Sequence, residues 1–399
     1  MTPLRLRLLL RAPLVLALLF FVAVFAWQLA RRPTGERPAR LSPIAALGAE
    51  ADPAFERALA PRDFEFPRDH GPHPTFQTEW WYFTGHLAND VGRRFGFELT
   101  FFRRALAHDA PGGKSAWAAR DVYMAHFALT DEARGRFVAA ERFERGALDL
   151  ADSRAEPWSV WVGPWSAESR GAAFLPLVLR AATERAGLEL ELAPSERIVP
   201  HGDRGLSRKG SEAGNASYYY SVPRIAARGT FALDGETHAV RGEAWLDREW
   251  STSALEPGVV GWDWFALTLD DGRALMLYRL RRADGSGAPA SAGTWIERDG
   301  TRRELALADF ELETLATWRS PHTGAEYPSR WRVRVPSTGV DLELAPWVAD
   351  QELALAFPYW EGACDVLASG ERVGRVGRAY VELVGYAPVA SDSASRAAR

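Results

Sequence analysis

The second half of this chain repeats the first, and that limits the folds open to it more than any other feature. Gly242-Glu-Ala-Trp-Leu-Asp247 is echoed by Gly377-Arg-Ala-Tyr-Val-Glu382, and Leu188-Glu-Leu-Glu-Leu-Ala-Pro194 by Leu342-Glu-Leu-Ala-Pro346. Each half also opens on an aromatic run and closes a second run on paired arginines: Trp81 to Arg103-Arg104, then Trp262 to Arg281-Arg282. Three matches in one order mean a duplicated unit. Two stretches of the first copy, His108 to Arg120 and Ser195 to Ser217, have no counterpart in the second.

What repeats is β structure. From Phe64 onward, short alternating or aromatic-rich runs are separated by turn signals, and no long segment outside the N-terminal run has helical periodicity. Asp234-Gly235, Asp271-Gly272 and Asp299-Gly300 predict hairpin turns, with Asn89-Asp90 and Ser369-Gly370 as weaker ones. Many short strands at regular spacing imply a sandwich or barrel. The expected architecture is all-β, with two tandem barrel-like domains over 63–252 and 253–388.

The N-terminus is of another kind. Arg5, Arg7 and Arg11 precede an apolar run from Ala12 to Ala30 in which Gln28 is the only polar side chain, and Arg31 and Arg32 follow. A basic flank and an apolar core read as an export signal, here just long enough to span a bilayer as a helix. Residues 1–32 are therefore a signal peptide, with Val24-Phe25-Ala26 as a small-residue cleavage site, or a signal anchor. The expected location is the periplasm or cell envelope, with residues 12–30 in the inner membrane if retained. Residues 33–62, rich in Pro, Ala and Arg, read as a linker, and 389–399 as a disordered tail.

Composition removes several function classes. The 399 residues hold 48 Lys+Arg against 52 Asp+Glu, which leaves no basic excess for a nucleic-acid partner. Cys364 is the only cysteine, so a disulfide framework, a Cys-ligated zinc site and a lipidated N-terminus are all excluded. No nucleotide-binding glycine turn, nucleophile elbow or His-Glu-x-x-His is present. His70 and His73 flank Gly71-Pro72 as a weak pair of ligands, and neither a metal nor a cofactor is expected. The aromatic content, 16 Trp, 10 Tyr and 20 Phe, is enough to fill a large interior or to line one.

Period-two alternation sorts the strand residues by face. Trp80, Tyr82, Thr84 and His86 share one face, opposite Glu79, Trp81 and Phe83. His126 lies with Met124 and Ala128. Glu243, Trp245, Asp247 and Glu249 lie together, opposite Arg248 and Trp250. Asp263 lies with Phe265, Leu267 and Leu269, an acid on an aliphatic face between two tryptophans in sequence. Desolvation would raise its pKa and keep it protonated as a general acid requires; the alternative is a buried ion pair, with Arg248 as a partner. Paired carboxylates at Asp247 and Glu249 offer acid–base work, or else form a salt-bridged rim. The Gly-rich, basic stretch Val199 to Gly210, followed by Asn215 to Tyr220, reads as a lid, an anion-holding loop or a solvated loop.

These residues resemble a known group. Thr78-Glu-Trp-Trp-Tyr-Phe-Thr-Gly-His-Leu87, His201-Gly-Asp-Arg-Gly-Leu-Ser-Arg-Lys-Gly210, Ala244-Trp-Leu-Asp-Arg-Glu-Trp-Ser251 and Gly261-Trp-Asp-Trp-Phe265 are similar to the AttH and carotenoid 1,2-hydratase (CrtC) superfamily, and within it to the branch labelled predicted secreted hydrolase. The resemblance implies two lipocalin-like barrels over about 64–386. It also implies cofactor-free chemistry in which an aspartic acid protonates an alkene, aromatic rings stabilise the cation and water captures it. Carried onto this sequence, the acid is Asp263, with Trp250 and Trp262 as ring partners and Asp247 as a second catalytic candidate. Trp80, Tyr82, His86, His126, Tyr219, Trp245 and Arg248 are the candidate ligand-binding residues. Where the hydratases carry His-Asp-His-Asn-Trp, this chain has Leu246-Asp-Arg-Glu-Trp250, so both histidines are missing.

Three functional readings follow. The first is an exported carrier of a lipid or isoprenoid, held at the membrane by its N-terminal segment, with a transport permease as a possible partner. The second is a hydratase resembling carotenoid 1,2-hydratase. The third is a scaffold whose barrels are filled by their own side chains. The first two expect the leading β-unit to enclose an apolar hollow ringed by indoles, with an acid pointing inward.

Overall fold

The computed structural model describes residues 52–109, 115–195, 197–253, 255–369 and 374–388. The expected leader helix over 12–30 and the tail over 389–399 lie outside these residues. Among the described residues no helix is long and apolar enough to cross a membrane.

The fold is all-β, built from two curled antiparallel sheets. The first contains β1 (Thr78–Ala88), β2 (Arg94–Ala105), β3 (Asp121–Asp131), β4 (Arg136–Arg145), β5 (Ala151–Ala155), β6 (Trp158–Val162), β7 (Trp165–Ser169), β8 (Leu177–Ala182), β9 (Ala186–Leu192), the short β10 (Val199–Pro200) and β11 (Leu206–Arg208), β12 (Ala216–Leu233) and β13 (Glu236–Ser251). The second contains β14 (Val259–Leu269), β15 (Ala274–Arg282), β16 (Ala292–Ile296), β17 (Arg302–Ala306), β18 (Glu311–Arg319), β19 (Glu326–Val335), β20 (Val340–Pro346), the short β21 (Glu352–Leu353), β22 (Tyr359–Ala368) and β23 (Arg375–Val384).

Strand order is 4-3-2-1-13-12-9-8-7-6-5 in the first sheet and 17-16-15-14-23-22-20-19-18 in the second. In each case the two end strands are consecutive in sequence, as expected of a sheet curled almost into a barrel. The repeated motifs fall on equivalent strands. Gly242–Asp247 lies on β13 beside β1, and Gly377–Glu382 on β23 beside β14.

All three expected Asp-Gly hairpins form. Asp234 and Gly235 both have positive φ (49° and 87°) and join β12 to β13 as a two-residue loop, the primed turn that suits strand twist. At Asp271-Gly272 and Asp299-Gly300 only the glycine is left-handed, at 96° and 89°, which gives longer loops closed by Leu269 N–H to Arg273 O and Glu297 N–H to Thr301 O.

Each curled sheet is packed solid on its concave face. In the first, Trp81, Phe83, Phe95, Phe97, Leu99, Phe101 and Trp165 belong to one continuous core; in the second, Phe265, Leu267, Trp295, Trp331 and Trp360 do the same. Among the described residues, the interior where the sequence predicts a hollow is filled by the leading unit's own aromatic side chains. A third apolar cluster joins the outer faces of the two sheets, with Tyr82, Tyr219 and Trp245 meeting Trp264, Met276, Tyr278 and Tyr380. The stretch expected to be a linker is partly structural as well: Phe55 and Ala58 are buried, and Tyr218 donates to Ala60 O at 2.9 Å.

Candidate functional site

An apolar cavity that could take a ligand lies between the two sheets. It encloses about 150 Å³, and Trp80, Tyr82 and Phe102 from β1 and β2, with Trp262, Trp264 and Leu280 from β14 and β15, supply most of its apolar lining. Asp247 and Glu249 on β13, Glu382 on β23 and Lys209 just after β11 supply its polar groups. A space of that size admits a group of about the bulk of benzene.

Alternation explains how strands deliver these residues. Tyr82 pairs with Asp247 across β1 and β13, so both face outward from the first sheet, while Trp81, Leu246 and Arg248 face its core. On β14, Trp262 and Trp264 face the cavity and Asp263 faces the interior of the second sheet.

Asp247 is held by three donors. Trp245 Nε1 donates to Oδ1 at 2.6 Å, Tyr219 Oη donates to Oδ2 at 2.6 Å, and the Ser221 hydroxyl donates to Oδ1. Burial pushes its pKa up to about 7; those hydrogen bonds oppose the rise, and the charge of Glu249 adds to it. Glu382 on the other wall is also pushed up to about 7 by burial, opposed by the Trp262 indole, which donates at 2.7 Å, and helped by the charges of Asp247 and Glu249. Lys209 Nζ sits 3.2 Å from Glu249 Oε1 and 4.1 Å from the Tyr278 ring centroid. Burial works to lower its pKa, but Glu249 and Tyr278 raise it overall, and it remains the cation of the site.

Behind this cavity the interface holds further buried acids. Tyr82 Oη donates to Glu361 Oε1, and Glu98 on β2 is fully buried. Burial raises Glu98 to about 8, and burial together with the charges of Glu98 and Glu382 raises Glu361 well above the carboxylate range.

Trp80, Tyr82, Tyr219, Asp247 and Trp262 of the sequence-derived set are thus brought together, with Trp245 bonded to Asp247. The remainder stand elsewhere. Asp263 is fully buried against Arg279, whose Nη2 and Nε lie 2.7 and 3.1 Å from Oδ2; Tyr386 donates to Oδ1 at 2.8 Å, and Arg281 is 3.7 Å away. It is a buried ion pair with partners other than Arg248. Arg248 points into the first sheet, where it meets Glu79, donates to Gly71 O at 2.7 Å and lies over the rings of Trp81 and Trp250 at 4.2 and 5.0 Å. Trp250 stacks on His73 at 3.8 Å in that same interior. His86 Nε2–H donates to Ala379 O at 3.0 Å beside Trp347, and His126 Nδ1 meets Tyr359 Oη at 2.8 Å. Burial lowers both histidines to about 3, so they are neutral, and neither lines the cavity.

Sequence reasoning missed Lys209, Trp264 and Glu382 as site residues. The sequence signal for Glu382 was the repeat itself, which places it where Asp247 stands in the first copy. The stretch from Val199 is not a free lid: β10 and β11 pair with β12, and His201 is buried.

These features define a class: an all-β protein of two nearly closed antiparallel sheets, with an aromatic-walled, acid-bearing cavity between them. Residues 57–386 match the AttH-like family, and the chain belongs to that family. An AttH protein from Nitrosomonas europaea is 35% identical, with 84% of this chain and 100% of that chain covered and a TM-score of 0.73. Kievitone hydratase from Nectria haematococca is 14% identical, with 86% and 98% covered and a TM-score of 0.64, a likeness of fold. No curated protein matches the sequence.

Proposed function

We propose that the chain binds a small hydrophobic molecule between its two lipocalin-like units and protonates it from Asp247, as a cofactor-free hydratase does. The observation that carries this reading is one carboxyl, 3% exposed, set in an aromatic cavity opposite a second, half-buried carboxyl. The likeness to kievitone hydratase concerns the fold, and a fold does not fix a reaction. The reading therefore rests on the site.

The step balances without a cofactor. Asp247 gives its proton to one alkene carbon, and the π electrons form the new C–H bond. The tertiary cation left on the other carbon lies among the indoles of Trp80, Trp262 and Trp264, whose ring faces attract positive charge. Water adds to that carbon and passes its extra proton to Glu382 on the opposite wall. Glu382 releases it to water that enters as the alcohol leaves. Lys209 opposes the cation, but Glu249 is its partner at 3.2 Å.

The trisubstituted alkene end of an acyclic isoprenoid is no bulkier than benzene and suits this cavity, with the rest of the molecule outside it, and geraniol is a usable probe. Incubated in isotopically labelled water, it should gain one hydroxyl and one carbon-bound deuteron, and Asp247→Asn should lose this activity while still quenching tryptophan fluorescence on geraniol binding. Binding without turnover in the native chain supports the second reading, a carrier, which the three donors on Asp247 favour because they stabilise a permanent carboxylate. Neither binding nor turnover sinks both. The leader over 12–30 supports action in the cell envelope, where a transport permease is a fitting partner.

A further inference from the structure

The stretch from Val199 to Gly210, which the cavity chemistry uses only through Lys209, carries a second device. His201 is 1% exposed, and both of its ring nitrogens meet hydroxyls. Nε2 lies 2.6 Å from Ser221 Oγ and Nδ1 lies 2.8 Å from Thr294 Oγ1. Ser221 in turn bonds Asp247 Oδ1, and Thr294 Oγ1 lies 3.2 Å from Glu304 Oε2. Ser221 and Thr294 are fully buried, whereas the Glu304 side chain is 40% exposed. Glu304 lines a separate open crevice of about 1450 Å³, together with His201, Gly202 and Thr294. Its other partners are Gly202 N–H at 2.9 Å and Arg302 at 3.6 Å. An unbroken row of hydrogen bonds therefore joins the cavity between the sheets to the open crevice.

The geometry points to a proton relay: Ser221, His201 and Thr294 reload Asp247 from Glu304. This rests on Asp247 being the proton donor proposed above.

The donors and acceptors balance in both directions. With Asp247 ionised and Glu304 protonated, Glu304 donates to Thr294 and Thr294 donates to His201 Nδ1. His201 Nε2–H then donates to Ser221, and Ser221 donates to Asp247. Moving each hydrogen one place along delivers one proton to Asp247 and leaves Glu304 ionised. His201 exchanges its Nε2–H for an Nδ1–H, and every group still has a partner. The ring must stay neutral for this, since an imidazolium has no acceptor. Burial, followed by the charges of Lys209 and Arg302, holds His201 well below its ordinary pKa, and the Tyr219 ring covers it at 4.3 Å. Each turnover by the proposed step leaves Asp247 ionised, and the row returns its proton by a path that does not cross the cavity while product fills it.

Thr294→Val keeps the side-chain shape and cuts the row away from Asp247. The full chain is jumped across neutrality in stopped flow while the fluorescence of Trp245, whose indole bonds Asp247, is followed; Asp247→Asn identifies the Asp247 signal. The native chain should show an equilibrium titration that Asp247→Asn removes. Thr294→Val should leave its midpoint in place and slow its approach by about tenfold or more, and Thr294→Ser should restore the rate. Glu304→Gln, at an exposed position, should slow it similarly and covers the case in which Thr294→Val fails to fold. Unchanged rates in the folded variants overturn the relay and leave Asp247 as the acid. A native chain with no Asp247 titration overturns both.

Discussion

The two copies of the repeated motif bring an acid to the same cavity and treat it differently. Asp247 on β13 stands between Tyr82 on β1 and Ser221 on β12; Glu382 on β23 stands between Trp264 on β14 and Glu361 on β22. The first acid has a hydroxyl neighbour that leads outward through His201, while the second stands beside another buried carboxyl, Glu361, which feels the charge of Glu98. The walls are also laced together crosswise: Tyr82 donates to Glu361, and Trp264 Nε1 donates to Tyr219 Oη at 3.1 Å. Duplication supplied two similar outer faces. Under the proposed chemistry, divergence would make one acid reloadable and the other a proton acceptor, the asymmetry an acid–base pair needs.

The sharpest way to break this comparison is to remove each acid in turn. Asp247→Asn should lower geraniol hydration by about 10²- to 10⁴-fold, the range for losing a general acid, and Glu382→Gln by less, because water can serve as a base. Equal losses would make the two walls equivalent. Product formation in isotopically labelled water reads both.

Next in size are the ion pairs on the core side of the same strands. Glu79 is fully buried between Arg103 and Arg248, and Glu79→Gln should cost about 3–5 kcal/mol in urea unfolding, since it strands buried guanidinium charge. Asp263→Asn should cost less, because Arg279 and Arg281 reach the surface in part, and it should leave hydration of geraniol within about threefold of native. A hundredfold loss of turnover from Asp263→Asn would return the catalytic role to the second sheet's interior.

Stability should also fall as pH rises. Asp247 and Glu382 hold protons to about pH 7 when folded and release them near 3.8 and 4.5 when unfolded. Between those limits the folded state binds more protons, so each acid costs nothing at low pH and up to a few kcal/mol once pH exceeds its folded pKa. Asp247→Asn and Glu382→Gln should each flatten the slope of unfolding free energy over that window. A slope unchanged by either would mean that these acids ionise normally.

The smallest effects come from single donors. Tyr219→Phe should raise the Asp247 midpoint by roughly one pH unit, and Trp262→Phe should raise that of Glu382 by a similar amount, as loss of a hydrogen bond to a charged oxygen requires.

Much of this arrangement was legible in the sequence, and the rest was hidden for physical reasons. Alternation grouped Trp80 with Tyr82 and Trp245 with Asp247, and it set Asp263 with Phe265 and Leu267. It could not say which face meets a ligand, because both faces of these strands are buried, one in a core and one between sheets. The sequence alone therefore makes Asp263, flanked by tryptophans, the more prominent acid. On a strand, neighbours in sequence point apart, and Trp262 and Trp264 reach the cavity while Asp263 does not. His201 and Lys209 come from a stretch without periodicity, and Thr294 lies 93 residues from His201, so only the folded chain shows the row they form.

The central claim is that Asp247 changes protonation near neutrality. Carboxyl ¹³C NMR of aspartate-labelled protein, with the Asp247 resonance assigned by its loss in Asp247→Asn, should give a midpoint near 7. A midpoint near 3.8, the ordinary value for an aspartate, would contradict the account.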